Sequence, residues 1–396
     1  MMNKKMIKKS IVDTLCRTQI GRDFWLQRRI RKLVFEFRLS DQDVRQAENH
    51  PEEKKRILDK HLSKWSKKAD RINTIIDKIL DVVPELAQGE GNTLREDMLF
   101  CYFAYGITPH EYVCYEFQQK RPDARRTYIS DRDSVLYAYR MNDYYSREVF
   151  WDKMETYKQF KPFYKREAVC VSARADYSNY MSFCERHAEF VKKEVSESCG
   201  RGVSLVDLRK DGQGADSQFE QMMDGNKYIL EELVVQSDAM ARLNPSSVNT
   251  VRCLTLNTHH GIVIPWCFMK VGRMGSFVDN GGAGGILVGI DMETGRLFED
   301  GVDEYGRRYL AHPDTGTVFS GYPLPDWDEM LAMCKKMAIM TPKIQWIGWD
   351  LANTDQGWVV IEGNVASEVI GPQSTTKHGI RSELDEYMTD MDFFMK

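Results

Sequence analysis

Three oxygen-bearing side chains towards the end of the sequence have the spacing expected of a divalent-metal site. Asp350 and Glu362 occur in the segment IGWDLANTDQGWVVIEGN, and Asn364 follows Glu362 by two residues. In nucleotide enzymes Mg²⁺ takes hard oxygen ligands, including one or two carboxylates, and keeps positions for phosphate oxygens. Asp350, Glu362 and Asn364 are therefore candidate ligands for Mg²⁺.

A β-hairpin is the element that would bring these three side chains together. Apolar, β-branched segments precede and follow the tripeptide DQG at 355–357, which has the composition of a short hairpin loop. With the middle residue of the tripeptide at the centre of the turn, Asp350 faces Glu362, and the period-two alternation of a strand puts Asn364 on the same face. Opposed carboxylates destabilise a sheet unless a cation neutralises them. The alternative is an exposed hairpin with scattered acidic residues.

A second set of candidate residues lies upstream, in a segment that predicts two strands joined by a polar loop. Lys193 is on the first strand of EFVKKEVSESCGRGVSLV, and the loop ends in Gly200-Arg201-Gly202. Glycines let the main chain approach phosphates closely, and a lysine supplies positive charge. Lys153, in WDK, lies at a predicted helix start. An ordinary hairpin is the alternative for the glycine loop taken by itself.

The order of these residues resembles that of ATP-grasp enzymes over about residues 150–370. The set in chain order is Lys153, Lys193, Gly200, Arg201, Gly202, Glu231, Glu232, Arg252, Asp350, Glu362 and Asn364. More narrowly, the strings LNPSSVNTVRCLTL, VGRMGSFVDNGGAGGI, HPDTG, GWD and IEGN are similar to those of the sugar-transfer-associated ATP-grasp group, whose members are found with capsule and teichuronopeptide-type polymer biosynthesis. Two departures are Glu194, where proline is usual, and the Val-Ala-Ser-Glu that follows Asn364 in place of Pro-Gly.

The resemblance implies an α+β fold, in which two α+β subdomains clamp ATP, preceded by a mainly helical N-terminal region. The expected domains are residues 1–148 for the helical region, 149–230 for the small lid subdomain, and 231–396 for the large subdomain with the metal site. ATP and Mg²⁺ are the expected cofactors.

The resemblance also implies roles for individual residues. Lys153 and Lys193 are expected to hold the ATP phosphates beneath the loop 200–202. The residues expected on the adenine side are Glu231, Glu232, Leu233 and Val234. Arg252 and Arg273 are expected to take part in catalysis by binding a carboxylate or a phosphate, which guanidinium groups bind in a bidentate manner.

The activity that the resemblance implies is an ADP-forming carboxylate–amine ligase that works through an acyl phosphate. Its partners would be a small carboxylate and an amine-bearing acceptor, an amino sugar or a peptide-like molecule, in surface-glycan biosynthesis. Two alternatives stay open. One is a phosphotransferase for small molecules, and the other is a non-catalytic ATP-binding scaffold docked on a glycosyltransferase or a membrane surface. His312 and Asp314 are candidates for accepting a proton from the attacking amine. The simpler interpretation is that His312 is a loop histidine with no catalytic role.

Composition supports a globular protein, with 42% hydrophobic and 11% aromatic residues. The nine cysteines form no CxxC pair and predict reduced thiols in the cytoplasm. No signal peptide is expected, because Asp13 and Arg17 interrupt the apolar run near the start of the sequence and no small-residue cleavage site follows. No membrane-spanning helix is expected, because no run of 18 apolar residues occurs. Residues 1–88 carry 21 Lys and Arg against 13 Asp and Glu, so this region is basic, but basic and aromatic residues do not interleave as nucleic-acid surfaces require.

The pattern of apolar residues predicts helices before residue 150 and strands after residue 160. A first helix contains Ile7, Ile11 and Leu15, and a second long helix opens at Pro51 and runs through Ile79. A break is expected at Gly89–Asn92, followed by helices with aromatic side chains in the core. The segments predicted as strands are 168–173, 189–195, 202–208, 227–236, 250–258 and 261–271.

Overall fold

The computed structural model describes residues 18–87, 91–143, 146–195, 202–210, 214–276, 279, 282 and 284–394. These residues belong to two compact units. Unit 1 comprises Met1–Arg140, Glu368–Asp385 and Phe393–Lys396, and unit 2 comprises Met141–Ser367 and Glu386–Asp392. The helix predicted around Ile7, Ile11 and Leu15 lies outside the described residues.

Unit 1 is mainly helical, and apolar side chains on its helices, such as Ile76 and Met98, are buried. In the described part of residues 18–141, the α-helices are Gln19–Ile30, Asp41–Asn49, Pro51–Lys64, Ser66–Val82, Gly91–Tyr105, Pro109–Cys114, Pro122–Arg126 and Asp131–Met141. A π-helix spans Arg31–Phe35, and 3-10 turns span Pro84–Ala87 and Phe117–Gln119. The later helices Ile370–Thr376 and Arg381–Met388 follow unit 2 in the chain. The prediction of helices before residue 150 is confirmed.

The prediction of one long helix that opens at Pro51 is wrong in one respect. Pro51 does occupy the first turn, where its missing N–H costs nothing, but the chain leaves helical geometry at Trp65, with φ −120° and ψ 33°. The Trp65 ring packs edge to face on Phe37, with 4.7 Å between ring centroids. Two helices therefore replace one, because a tertiary aromatic contact outweighs the local preference to continue.

Of the six aromatic side chains predicted for the core, Tyr105 is only half-buried, whereas the other five are buried. Phe103, Tyr112, Tyr115 and Phe117 are at most 1% exposed. The break predicted at Gly89–Asn92 lies partly outside the described residues, and a helix already begins at Gly91, so the predicted break extends too far.

Unit 2 contains two antiparallel sheets. The strands are β1 Ala168–Val171, β2 Glu189–Glu194, β3 Val203–Asp207, β4 Tyr228–Glu232, β5 Thr250–Thr258, β6 Gly261–Val271, β7 Ile286–Ile290, β8 Leu297–Val302, β9 Arg308–Tyr309, β10 Trp346–Thr354 and β11 Gly357–Asn364. The four-stranded sheet has the order β1-β4-β2-β3, and the seven-stranded sheet has the order β11-β10-β5-β6-β7-β8-β9. Each of the six segments predicted as strands between residues 168 and 271 contains a strand, but β1 ends at Val171 rather than at residue 173, and β4 ends at Glu232 rather than at residue 236.

The helices of unit 2 cover these sheets. They are Glu148–Trp151, Lys153–Tyr164, Tyr177–Arg186, Ala215–Gln221, Asp238–Leu243 and Trp327–Ile339, with a 3-10 turn at Arg174–Asp176. Phe183 and Phe190 lie in the core of the four-stranded sheet. The predicted subdomain boundaries at residues 149, 230 and 231 stay predictions.

The seven-stranded sheet has one apolar face and one partly polar face. Cys253, Met269 and Trp349 belong to a core that includes residues of the helix Trp327–Ile339. Because strand side chains alternate between faces, the residues next to these in sequence point to the other face. That face carries Arg252, among other polar residues.

Candidate functional site

The hairpin that carries the predicted metal ligands forms as expected, but its turn is tighter. Thr354 pairs with Gly357, so the loop has two residues rather than three. That register alone would not oppose Asp350 to Glu362. A β-bulge between the Asp350 and Leu351 pairs shifts the register by one residue, so that Asp350 does pair with Glu362. The predicted pairing is confirmed, while the predicted turn is wrong.

Asp350 lies at the centre of a buried charge cluster, with only 2% of its surface exposed. Arg252, on β5, is the direct cross-strand partner of Asp350. It donates from Nε to Oδ1 and from Nη2 to Oδ2, the latter at 2.9 Å. Lys270 Nζ, from β6, lies 3.0 Å from Asp350 Oδ2. One carboxylate on β10 is therefore held by two cations from the two strands beside it.

Gly348 makes room for this arrangement. It lies on β10 two residues before Asp350, and a Cβ atom there would come within 2.2 Å of Ser367 Oγ and 2.9 Å of Arg252 Cδ. Arg252 Nη1 also donates to Ser367 Oγ at 3.3 Å. The glycine thus lets the arginine stem lie flat against the strand and turn its guanidinium towards Asp350.

The electrostatics of the two opposed carboxyl groups differ. Burial alone would raise the pKa of Asp350, but the charges of Arg252 and Lys270 hold it well below its usual range. Solvent reaches Glu362, yet crowding by protein atoms and the charge of Asp350 raise the pKa of Glu362 above its usual value. Asp350 is thus firmly ionised, whereas at Glu362 the protein environment and the charge of Asp350 outweigh the opposing charges of Lys270 and Arg252 on the pKa.

Glu362 and Asn364 share one face, as predicted, and Asn364 Nδ2 lies 3.2 Å from Glu362 Oε1. No ion pair within 4 Å reaches Glu362 in the part of the chain that the structure describes. An accessible carboxylate beside a second carboxylate and an amide fits Mg²⁺, which prefers oxygen ligands. Among the described residues, no group of three or more His, Cys, Asp or Glu side chains can hold a metal ion. Phosphate oxygens would complete the coordination.

Lys270 is a member of this site that sequence reasoning missed. It is 4% exposed, and burial would lower its pKa, but Asp279 and Asp350 raise the pKa of Lys270 above its ordinary value. The Asp279 carboxyl lies 3.8 Å from Lys270 Nζ and accepts a hydrogen bond from Thr250 Oγ1. A lysine inside the apolar strand GIVIPWCFMKV was the available signal, because a buried lysine needs a charged partner.

The predicted phosphate-binding lysine of the four-stranded sheet is also paired with a buried carboxylate. Lys193, on β2, places Nζ 2.8 Å from Glu231 Oε1 on the neighbouring β4. Arg166 donates to Glu231 Oε2 from Nε at 2.9 Å and from Nη2 at 2.6 Å. Burial opposes ionisation, but Lys193 and Arg166 lower the pKa of Glu231 to about 2. Sequence reasoning missed Arg166, which no motif marks.

Lys153 begins the helix Lys153–Tyr164, as predicted, after the N-cap Asp152. Its Nζ donates to the main-chain oxygens of Glu194 at 3.0 Å and Val195 at 3.2 Å. Glu194 is the last residue of β2, and Val195 is the last described residue before the predicted phosphate loop. Lys153 therefore contacts the entrance of that loop.

The loop itself is described only at its end. Gly202 has φ +67°, a conformation that favours glycine, and its carbonyl accepts from Glu194 N at 3.1 Å. Gly200 and Arg201 lie outside the described residues. The predicted strands on both sides of the loop, β2 and β3, are paired.

The predicted adenine-side segment leads out of the four-stranded sheet. Glu231 and Glu232 end β4 with their side chains engaged, Glu232 Oε2 accepting from Glu167 N at 3.0 Å. Leu233 and Val234 follow the strand and are half-buried. Within the described residues, their N–H groups donate to no main-chain oxygen. Free main-chain groups are what reading a base would require.

Arg273 lies apart from the buried cluster, just after β6. Its Nε donates to Asp314 Oδ2 at 2.7 Å and its Nη2 donates to Asp314 Oδ1 at 2.9 Å. Asp314 Oδ2 also accepts from Met274 N. His312 is fully buried, with Nε2 2.8 Å from Gly272 O and Nδ1 3.3 Å from Thr315 N. Burial lowers the pKa of His312. Both ring nitrogens are engaged, which favours the interpretation of His312 as a loop-anchoring residue.

One protein-family model matches residues 132–388, which is well over half of the chain, and describes the sugar-transfer associated ATP-grasp family. This chain belongs to that family. The match contains every candidate residue from Lys153 to Asn364, and it confirms both the resemblance and the α+β ATP-grasp fold after a helical N-terminal region.

Solved structures similar to this ATP-grasp chain share little sequence with it. The D-alanine-D-alanine ligase of Coxiella burnetii is 11% identical, with a TM-score of 0.41 over 64% of this chain and 60% of that chain. The N5-carboxyaminoimidazole synthetase of Staphylococcus aureus, complexed with ADP, is 11% identical, with a TM-score of 0.39 over 63% and 54%. The ATP-grasp chain thus spans about 60% of the first of these. Comparison with curated proteins gives no match.

Within the described residues of this ATP-grasp chain, no helix has both the length and the apolar composition that crossing a membrane requires.

Proposed function

We propose that the chain is an ATP- and Mg²⁺-dependent ligase that joins a carboxylate to an amine through an acyl phosphate. One observation carries this proposal. A firmly ionised Asp350, held by Arg252 and Lys270, lies directly across the ladder from the accessible Glu362. Such a fixed arrangement of charges is what phosphoryl transfer to a carboxylate needs.

The chemical difficulty of this reaction is repulsion between anions. A substrate carboxylate must approach the γ-phosphate of ATP, form an acyl phosphate and release ADP; an amine then displaces phosphate to give the amide. Positive charge that is already in place lowers the cost of this approach. Lys153 and Lys193 are proposed to supply such charge at the phosphates.

Asp350, Glu362 and Asn364 are proposed to hold Mg²⁺, which would supply charge neutralisation at the phosphate oxygens when bound. Arg252 is assigned a positioning role, because two of its nitrogens already bind Asp350. Lys270 is assigned the same role. Together they keep Asp350 ionised and fix its orientation.

The remaining roles are proposed for residues at the edges of these clusters. Leu233 and Val234 would contact the adenine with main-chain groups, and the loop at Gly202 would cover the phosphates. Arg273 would bind the substrate from the loop after β6. The proposed reaction takes place in the cytoplasm, where the thiols of the chain stay reduced.

The proposed acceptor is an amino sugar or a peptide-like amine used in surface-glycan biosynthesis. The support is the description of the family as sugar-transfer associated. The acceptor would arrive after the acyl phosphate forms, so the first half-reaction can be tested without it.

The test is ADP release and hydroxamate formation from Mg-ATP, hydroxylamine and a panel of amino acids and other small carboxylates. Hydroxylamine traps an acyl phosphate as a hydroxamate, so a hydroxamate that depends on one carboxylate is the expected result. Glu362→Gln should abolish it, whereas Glu293→Gln, an exposed turn residue on the same unit, should not. Transfer of the γ-phosphate into a stable product without hydroxamate would instead indicate a phosphotransferase.

A further inference from the structure

Unit 1 contains a cavity of about 320 Å³ whose wall carries five arginines. They are Arg38, Arg45, Arg125, Arg126 and Arg381. The residues proposed for ligation all belong to unit 2. Nine of the eleven residues that line the cavity precede the family match, which covers residues 132–388 and includes only Asp133 and Arg381 of the lining. The ligase proposal therefore leaves this cavity without a role.

Two of these arginines form ion pairs with carboxylates that do not line the cavity. Arg125 donates to Asp97 from Nη1 at 3.0 Å and from Nη2 at 2.6 Å, and Lys54 pairs with the same carboxylate. Arg126 pairs with Glu48 through Nε at 3.2 Å and through Nη2. These pairs fix the wall and engage the carboxylates of Asp97 and Glu48.

Arg38 and Arg381 are held firmly but keep spare donors. Arg38 donates to Val34 O, Ala104 O and Asp133 Oδ1, and Arg381 donates to Arg126 O, Tyr137 Oη and Tyr128 O. A guanidinium has five N–H groups, so each of these arginines has two that no described bond uses.

The same two arginines are short of counter-charge. Asp133 lies 2.8 Å from Arg38 and 3.7 Å from Arg381, so one carboxylate serves both. Burial lowers the pKa of Arg38. The charges of Arg132 and Arg381 also lower this pKa, whereas the charge of Asp133 raises it. Positive charge at this point is therefore in excess.

Arg45 adds a further cation. It is exposed at the cavity, and in the described part of the chain it has no ion-pair partner within 4 Å. The cavity and the residues paired with it contain six cations against the four carboxylates of Asp41, Glu48, Asp97 and Asp133. The excess is two positive charges.

We propose that this cavity binds the phosphate monoester group of a small molecule of about the size of a sugar phosphate. A phosphate monoester carries close to two negative charges at pH 7, which matches the excess, and guanidinium donors fit its oxygens. The volume lies at the lower end of the range for small-molecule sites. Tyr105 and Tyr128 supply aromatic wall beside the arginines.

The test is isothermal titration calorimetry of the full chain with glucose 1-phosphate, inorganic phosphate and glucuronate. A non-hydrolysable ATP analogue is present throughout, so that a phosphate site in the nucleotide cleft is already filled. Glucose 1-phosphate should bind in a saturable way, more tightly than glucuronate, which has a similar size but a single carboxylate. Binding should weaken between 50 and 500 mM salt, because the attraction is electrostatic.

Two charge reversals locate the binding. Arg45→Glu should weaken glucose 1-phosphate binding by about tenfold or more, since it changes two unit charges beside a dianion. Arg71→Glu makes the same change on the exposed face of the helix Ser66–Val82 and should leave the affinity within about twofold, because it lies outside the cavity wall. Both residues are exposed, so both variants should fold.

Three outcomes would overturn the proposal. The first is that neither glucose 1-phosphate nor inorganic phosphate binds in a saturable way at concentrations up to about 10 mM, well above the Kd range of ordinary small-molecule sites. The second is that Arg45→Glu and Arg71→Glu lose equal affinity for glucose 1-phosphate. The third is that glucuronate binds more tightly than glucose 1-phosphate. Because the readout is binding to unit 1, failure of the ligase assay would not affect it.

Discussion

Two buried carboxylates of unit 2 have nearly the same immediate partners. Glu231, in the four-stranded sheet, is paired with Arg166 and Lys193. Asp350, in the seven-stranded sheet, is paired with Arg252 and Lys270. Each has one arginine and one lysine, and in each case these cations keep the carboxyl ionised despite burial.

The two clusters differ in what lies beyond the first pairs. Around Asp350 there are two more carboxylates, Glu362 across the ladder and Asp279 beside Lys270. The cluster therefore holds three formal negative charges against two positive charges. No further carboxylate lies within ion-pair distance of Arg166 or Lys193 in the described residues, so the Glu231 cluster holds one negative charge against two positive charges.

The opposite balance indicates opposite ligands. A cluster with an excess of positive charge can accept phosphate, and one with an excess of negative charge can accept a divalent cation. Under the proposed function, the same Arg–carboxylate–Lys arrangement would therefore serve either end of a metal–nucleotide complex, according to whether further carboxylates lie beside it. The proposed roles of Lys193 and Glu362 follow from this difference.

The largest expected effect comes from removing the carboxylate that creates the negative excess. Glu362→Gln should lower turnover in the hydroxamate assay by about a hundredfold or more, since a metal ion supplies several kcal/mol of charge stabilisation. The free energy of unfolding should be unchanged or slightly raised, because Glu362 is accessible and opposes Asp350. Turnover within threefold of the original chain would contradict the proposed cation site.

Loss of the carboxylate in the other cluster should instead be a stability effect. Glu231→Gln should lower the free energy of unfolding by about 3 to 5 kcal/mol, because it leaves Arg166 and Lys193 without their counter-charge in a buried site. Urea denaturation measures this loss. The control is Glu232→Gln on the adjacent, half-buried position, and equal effects of the two changes would show that burial of Arg166 is not decisive.

The Glu231 cluster also predicts a pH dependence. Burial opposes ionisation, but Lys193 and Arg166 lower the pKa of Glu231 to about 2 from an ordinary value of 4.5. A carboxyl with a lowered pKa in the folded state contributes stability that is present above the unfolded pKa and is lost as the pH falls through the folded pKa. Between pH 5 and pH 2.5, the original chain should therefore lose more free energy of unfolding than Glu231→Gln. Parallel pH profiles would contradict this.

The elements of unit 2 were predictable from local pattern, and this included the most informative pair. Strand alternation and a glycine-containing turn are short-range signals, and they placed Asp350 opposite Glu362. The agreement depended on a bulge that the sequence did not indicate, because the true loop is one residue shorter. Register near a turn depends on main-chain geometry that residue types only weakly specify.

The cations of the clusters were harder to predict for a physical reason. Arg252 and Asp350 are direct cross-strand partners although 98 residues separate them in sequence, and Lys270 reaches the same carboxylate from a third strand. Pairing between distant strands leaves no periodic signal along the chain. The family resemblance supplied Arg252, whereas Lys270 and Arg166 matched no motif.

The smallest expected effect concerns an arginine–carboxylate pair at a more exposed position. Arg273 binds Asp314 with two hydrogen bonds, as Arg166 binds Glu231, but its side chain is 32% exposed against 4% for Arg166. Arg273→Lys should therefore lower the free energy of unfolding by less than about 1 kcal/mol, because water screens the pair and solvates the freed carboxylate. A matched control is Arg174→Lys, which removes a more exposed bidentate pair and should produce no measurable loss. If Arg273→Lys cost as much as Glu231→Gln, burial would not be what separates the strong pairs of this chain from the weak ones.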